Sequence, residues 1–137
     1  LEHWSDFKKY HSKIVRIELR HDPNNSTDKI SETRTRIRAL EQIYREFPIG
    51  DNTVIMMSDL DEIPKARFMR TLSHCDHHWD SLVLKCDFYY YSYEYRSVRG
   101  AWFGTAVIKA RKFLNVSGEM LRHDRGKFTP VNDACYH

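Results

Sequence analysis

Three acidic side chains follow an apolar segment, and they are the residues of this chain best suited to hold a metal ion. Residues 53–58 read as a strand apolar on both faces, and Asp59, Asp61 and Glu62 come directly behind it. Such a strand would deliver the acids to the carboxyl edge of a sheet, where open α/β folds bind ligands. Hard carboxylate oxygens there suit Mg²⁺ or Mn²⁺, with phosphates completing the shell. The alternative is that Asp59 and Asp61 only cap a following helix, whose first turn would accommodate Pro64.

A helix predicted over residues 28–47 carries the next candidates. Glu32 and Arg36 lie four residues apart and would share one face of it. They could form an ordinary surface ion pair, or they could bind a ligand, with Arg36 balancing phosphate charge. Both interpretations stay open at this point.

Tyrosines are unusually dense between residues 89 and 95. Twofold alternation predicts a strand over residues 81–95, which places Phe88 and Tyr90 on a core face and Tyr89 and Tyr91 on the opposite face. The opposite face could serve as a platform for sugar rings, and Trp102 on the returning strand could join it. The alternative is that about half of these aromatic side chains are simply core residues.

The remaining elements complete a mixed sheet. A short strand is predicted over residues 14–19, a short helix over 64–72, a turn over 96–100 and a returning strand over 102–109. The last 25 residues have little periodicity and are predicted to be mostly loop. Helices and strands alternate first and an antiparallel pair follows, so we expect one α/β domain over residues 1–137.

Composition limits the class of protein. The chain has 137 residues, 41% of them hydrophobic and 30% charged, with a formal net charge of +3, as in soluble globular proteins. The mild charge and scattered basic residues do not favour a nucleic-acid partner. No apolar run approaches the length of a membrane span, so no membrane segment is predicted within this sequence. Because the chain starts at Leu1 and stops at His137 in mid-motif, we expect a fragment that lacks both ends.

The cysteines form no metal-binding pattern. Cys75, Cys86 and Cys135 are far apart and include no C-x-x-C pair. We expect plain thiols, or thiols whose partners lie outside the fragment.

Several of these segments together resemble glycosyltransferase family 17. The matching pieces, in order, are residues 32–36 (ETRTR), 58–64 (SDLDEIP), 87–92 (DFYYYS), 101–104 (AWFG), 121–122 (LR) and 133–137 (DACYH). The acidic block is the most specific of them. The chain departs from the family at Cys135-Tyr136, where members usually have Gly-Trp.

The resemblance implies a GT-A-like fold, with a mainly parallel central sheet flanked by helices and one antiparallel hairpin. It implies an inverting, metal-dependent transfer of N-acetylglucosamine from UDP-GlcNAc to a β-linked mannose of an N-glycan or glycoprotein. The cation would be Mn²⁺ or Mg²⁺. The enzyme would work in the Golgi lumen, anchored through a missing N-terminal segment, if the source is an animal.

The resemblance also assigns roles to residues. Asp61 would be a direct metal ligand, Asp59 would contact the ribose or a metal-bound water, and His137 would be a third protein ligand. The donor would also meet Glu32 and Arg36, and the acceptor would meet Tyr89, Tyr91 and Trp102. An inverting transfer needs a general base, and the unranked candidates are Asp133, Glu94 and Glu119.

Two other functions fit parts of the pattern. A haloacid-dehalogenase-type phosphatase also uses a strand followed by Asp-x-Asp, here Asp59 and Asp61, but Ile63 stands where that class has Thr or Val, and no clear later lysine and acidic pair follows. A non-catalytic glycan-binding domain would use the tyrosine face and keep the acids for structure.

Overall fold

The computed structural model describes residues 4–15, 32–74, 78–98, 100–113, 121 and 124–137. Its helices are α1 (Glu32–Glu46), α2 (Ala66–His74) and α3 (Ala110–Phe113), with 3-10 helices at Trp4–Lys13 and Arg125–Lys127. Its strands are β1 (Val54–Met57), β2 (Ile63–Pro64), β3 (Ser81–Asp87), β4 (Trp102–Lys109) and β5 (Thr129–Tyr136). None of the helices in the described part of the chain is long and apolar enough to cross a membrane.

The five strands form one sheet in the order β1-β4-β3-β5-β2. The pairs β1–β4, β3–β4 and β2–β5 are antiparallel, and only β3–β5 is parallel. The predicted hairpin of β3 and β4 is confirmed, since Leu82 pairs with Val107 and Cys86 with Trp102.

The predicted mainly parallel, helix-flanked GT-A-like sheet is wrong for the described part of the chain. The reason is β4, which lies between β1 and β3 and runs against both of them. A wholly apolar strand pattern shows that both faces are covered but says nothing about the direction of its neighbours. β1 is consequently a half-buried strand at the end of the described sheet and not a central one.

The core lies on the two faces of β3 and β4. Leu82, Leu84 and Cys86 point into one cluster, against which Phe68 and Leu72 of α2 pack. Val83 points into the other cluster, as the twofold alternation predicted. Helix α1 is held beside this second cluster, because the Tyr44 ring stacks on that of Phe113 at 5.2 Å between centroids. Phe113 packs in turn against the cluster itself.

The C-terminal segment corrects two further predictions. Residues 129–136 are strand β5 and not loop, because they pair with β3 on one side and with β2 on the other. Cys86 and Cys135, predicted to be thiols, form a disulfide between β3 and β5. Gly104 of β4 is needed beside it, since a Cβ at this position would lie far inside contact distance of the Cys86 Sγ. Cys75 and the strand predicted over 14–19, apart from its first two residues, lie outside the described residues.

Two element boundaries also differ from prediction. Strand β3 ends at Asp87, and beyond it Tyr89 makes only an isolated antiparallel bridge with Arg96. The predicted strand to residue 95 is therefore too long. Pro64 belongs to β2, and the short helix begins at Ala66.

Candidate functional site

Three segments meet at one edge of the sheet, and this is where the candidate site lies. β1 and β3 both run against β4, and β5 runs with β3, so the carboxyl ends of β1, β3 and β5 point the same way. The acidic loop (residues 58–62) follows β1, the tyrosine loop (residues 88–98) follows β3, and His137 follows β5. The carboxyl edge of these strands thus collects the acids, the aromatic rings and the terminal histidine.

The acids of the acidic loop have different surroundings. Asp61 is exposed, Asp59 is half-buried, and Glu62 is buried. The loop closes as a turn in which the Glu62 N–H donates to the Asp59 carbonyl at 3.1 Å. Ser58 fastens it, because its Oγ lies 2.7 Å from the Glu62 carbonyl and 2.8 Å from the Thr105 Oγ1.

Glu62 is the polar centre beneath the loop. Its Oε2 accepts the Asp59 N–H at 3.2 Å, and its Oε1 accepts the Trp102 Nε1–H at 2.9 Å. The Arg125 NH1 lies 3.3 Å from the same Oε1 and donates to the Gly104 carbonyl at 2.9 Å. Sequence reasoning counted Glu62 only as a third negative charge and missed Arg125 altogether. No local signal marks Arg125, since it lies 63 positions away from Glu62.

A cleft of about 480 Å³ opens beside Asp61. Its other walls are Ile63, Phe88, Tyr89, Tyr90, Tyr91, Ser92, Tyr93, Tyr136 and His137. Within it the Tyr93 ring stands edge-on to those of Tyr89, at 5.3 Å, and Tyr136, at 6.0 Å. Asp61 is the acidic residue of this lining, so a charged group stands beside an aromatic wall.

His137, which lines this cleft, is held in place by its backbone. Its carbonyl accepts the Tyr89 N–H at 2.8 Å, and its N–H donates to the Asp87 carbonyl at 2.9 Å. The imidazole packs against Phe88 at 4.6 Å and Trp102 at 5.0 Å between ring centroids. The predicted metal residues Asp61 and His137 therefore lie in the same cleft, although 76 positions separate their sequence numbers (137 − 61).

The family model described as glycosyltransferase family 17 matches residues 1–137, the whole chain. The chain belongs to glycosyltransferase family 17. No curated protein and no solved structure matched it.

For this family 17 chain, the predicted acceptor residues divide in two. Tyr89 and Tyr91 line the cleft, and Tyr91 is fully exposed with a positive φ of 62°. Trp102 does not line the cleft, but its ring packs against those of Phe88 and His137, which do. Tyr90, predicted to be core, is 45% exposed, because β3 has already ended before it.

The candidate bases have contrasting surroundings. Asp133 has a φ of 53°, and its carboxylate is already engaged in ion pairs with Lys65 and Arg67. Glu94 lies in the exposed tyrosine loop, where its N–H donates to the Ser92 Oγ at 3.4 Å. It lines a second cavity that shares Tyr90 with the first. Glu119 lies outside the described residues.

A network of charges joins Asp87, at the end of β3, to Lys65, which directly precedes α2. The Lys65 Nζ lies 2.7 Å from the Asp87 Oδ2, and Arg96 binds the other oxygen of the same carboxylate. The hydrogen bond from Lys65 is the main cause that lowers the pKa of Asp87, and the Arg96 charge lowers it further against the effect of burial. The Lys65 Nζ also lies 4.5 Å from the centroid of the Tyr136 ring, so this network supports the aromatic wall.

Two of the three predicted metal residues, Asp61 and His137, line the cleft. A carboxylate and an imidazole in one cleft are chemically suited to Mn²⁺. Asp59, the other predicted ligand, is not in the cleft lining, and no group of three or more His, Cys, Asp or Glu side chains converges in the described ranges. A cation held by Asp61 and His137 would take its remaining ligands from a diphosphate and water.

The donor residues predicted on the helix are not placed by the described side chains. Glu32 and Arg36 belong to the first turns of α1, and the described side chains of that helix begin at residue 39. Their roles therefore stay predictions.

Proposed function

We propose that this family 17 glycosyltransferase transfers N-acetylglucosamine from UDP-GlcNAc to a β-linked mannose of an N-glycan core, with inversion and with a divalent cation. The observation that carries the proposal is the shared cleft of Asp61 and His137. An exposed carboxylate and an imidazole line this cleft together with tyrosine rings, and this supports the proposal that a cation-bound diphosphate and a sugar bind side by side. Donor, acceptor, metal and stereochemistry come from the resemblance to the family.

Asp61 and His137 would hold the Mn²⁺, with Mg²⁺ less suited to the imidazole nitrogen. When bound, the cation neutralises charge on the leaving diphosphate. Asp59, held by its N–H to Glu62, would face the ribose or a metal-bound water. Tyr89 and Tyr91 would present ring faces and hydroxyl groups to the acceptor sugar.

The transfer forms a bond between the acceptor hydroxyl oxygen and C1 of the donor sugar, while the bond from C1 to the diphosphate oxygen breaks. The hydroxyl proton must pass to a base on the acceptor side. Glu94 suits this role better than Asp133, because Asp133 is already paired with two cations. Glu94 is exposed in the loop that carries the acceptor tyrosines.

The disulfide supports a secretory location. Disulfides persist in oxidising compartments and are rare in the cytosol. We therefore propose the lumen of the secretory pathway, and the Golgi if the source is an animal.

The deciding experiment titrates the complete protein with UDP-GlcNAc, with and without Mn²⁺, and measures UDP release and transfer to a mannose-terminated N-glycan. Asp61→Ala should abolish Mn²⁺-dependent turnover and keep the fold. Asp80→Ala is the matched control, because Asp80 is a half-exposed partner of Arg111 at 3.1 Å and does not line the cleft. Normal turnover by Asp61→Ala would reject the proposal, and glycan binding without turnover or metal dependence would favour a glycan-binding domain.

A further inference from the structure

The buried carboxylate of Glu62 connects two parts of the site that are far apart in sequence. One oxygen accepts the backbone N–H of Asp59 in the acidic loop, and the other accepts the indole N–H of Trp102, 40 positions away. We propose that Glu62 is a positioning residue that fixes the acidic loop, on the donor side of the cleft, relative to the Trp102 ring, which packs against Phe88 and His137 of the cleft lining. The catalytic consequence rests on the proposed function, whereas the positioning itself does not.

Arg125 holds the Glu62 carboxylate in place. The Glu62 side chain is 0% exposed and that of Arg125 is 12% exposed, so water screens the pair little. The guanidinium is itself held by the Gly104 carbonyl of β4, and it lies 5.5 Å from the centroid of the Trp102 ring. The Arg125 guanidinium therefore contacts the Glu62 carboxylate, the Trp102 ring and the backbone of β4 at once.

The connection reaches the cleft on both sides. Towards the donor side, Asp59 is two positions from Asp61, which lines the cleft. Towards the acceptor side, the Trp102 ring packs against His137, which also lines it. Glu62 does not line the cleft, so it would act through these neighbours and not by touching substrate.

A glutamine cannot reproduce the arrangement. The two oxygens of Glu62 receive N–H groups from opposite sides, and an amide offers one oxygen and one NH₂. If the amide oxygen of the glutamine faces Trp102 and Arg125, its NH₂ group faces the backbone N–H of Asp59. Both of those groups are hydrogen-bond donors, so no hydrogen bond forms between them. Glu62→Gln therefore breaks one side of the connection with almost no change in volume.

The first test is kinetic and uses the full chain. Glu62→Gln should lower kcat/KM for transfer about 10²-fold, as expected when reacting groups are misplaced by about 1 Å. Trp102→Phe should also lower it, and the double variant should be no worse than the poorer single variant, because both remove the same connection. Glu41→Gln is the matched control, since Glu41 lies on the exposed face of α1 and pairs only with Arg45 among the described ion pairs. Independent, multiplicative losses from Glu62→Gln and Trp102→Phe would overturn the proposal.

The second test does not need turnover. The Trp102 emission is obtained as the difference between the wild-type spectrum and that of Trp102→Phe. In Glu62→Gln this emission should shift, and acrylamide should quench it more strongly, because the ring has lost its hydrogen bond. UDP with Mn²⁺ should change the Trp102 emission in the wild type and not in Glu62→Gln.

The two tests separate the possible failures. A wild type that shows no UDP-GlcNAc turnover rejects the proposed function, while the Trp102 emission still decides the positioning role. If Glu62→Gln does not fold, Arg125→Lys replaces it, since a lysine keeps the charge but loses the guanidinium contacts. The inference would be overturned if the tested variant left the Trp102 emission and its acrylamide quenching unchanged, as Glu41→Gln is expected to do.

Discussion

Removing the Arg125 side chain should destabilise this fold more than the loss of an exposed ion pair would. Arg125→Met would leave the Glu62 carboxylate, 0% exposed, without its cation. Breaking a buried pair by removing one partner costs about 3–5 kcal/mol, because the remaining charge stays desolvated. Two N–H donors, from Trp102 and Asp59, remain on the carboxylate, so we expect the low end, about 3 kcal/mol. That is a large part of the roughly 5–15 kcal/mol by which small domains are stable.

Urea unfolding with the disulfide intact measures this cost. With a slope of about 2 kcal/mol per M, the midpoint should fall by about 1.5 M. Arg45→Met is the control, because Arg45 and Glu41 are 3.7 Å apart with side chains 78% and 57% exposed. That pair is worth at most about 0.5 kcal/mol, and its loss should barely move the midpoint.

A second substitution checks the cause. In a Glu62→Gln background there is no buried charge left to neutralise, so Arg125→Met should cost clearly less than in the wild type. If Arg125→Met moves the midpoint no more than Arg45→Met does, the reasoning that Glu62 is a desolvated charge is refuted. An equal cost of Arg125→Met in both backgrounds would instead assign the loss to packing of the arginine stem.

Three further changes test the sheet around the site. Gly104→Ala should lower the free energy of unfolding by about 1–3 kcal/mol, because the added Cβ would overlap the Cys86 Sγ. Gly50→Ala is the control, since its Cβ would meet nothing within 4 Å and its effect should be nearly neutral. Equal effects of the two variants in thermal or urea unfolding would contradict the close approach. Replacing both Cys86 and Cys135 by Ala should lower the free energy of unfolding by about 4 kcal/mol, from the loop-closure relation for a sequence separation of 49 residues. An unfolding midpoint equal to that of the oxidised wild type would contradict this. The pKa of Asp87 is lowered in the folded protein, chiefly by the hydrogen bond from Lys65. The ionised Asp87 carboxylate therefore stabilises the fold above its unfolded pKa of about 3.9, and this stabilisation is lost as the pH falls through the folded pKa. Asp87→Asn should therefore cost stability at pH 7 and much less at pH 3, and a cost that does not vary with pH would count against this.

The elements that the sequence predicts well are those whose own pattern matches their surroundings. Strand β3 alternates between two core clusters, with Leu84 in one and Val83 in the other, so twofold periodicity identifies it. Helix α1 is amphipathic over four turns and is recognised by its spacing. The acidic loop is also predictable, because three acids behind an apolar strand are an unusual combination.

Other features depend on contacts between distant segments. β5 contains Pro130, Asn132 and Asp133, which are poor strand formers, and it forms a strand because it pairs on both sides with β3 and β2. The disulfide follows from that pairing, since the register places Cys86 opposite Cys135. The pairing of Glu62 with Arg125 likewise needs the sheet to be assembled first. None of these contacts leaves a pattern within a short window of sequence.

Asp61 and His137 line one cleft although the fold prediction was wrong, and strand direction explains why. The expectation that Asp61 and His137 meet required only that β1 and β5 end at the same edge of the sheet. β4 lies between β1 and β3 and is antiparallel to both, so two reversals return β1 and β3 to one direction, and β5 is parallel to β3. The carboxyl-edge rule for ligand sites depends on this common direction and not on the strands being neighbours. A mostly antiparallel sheet can therefore bring the same residues together as the parallel sheet that the resemblance implied.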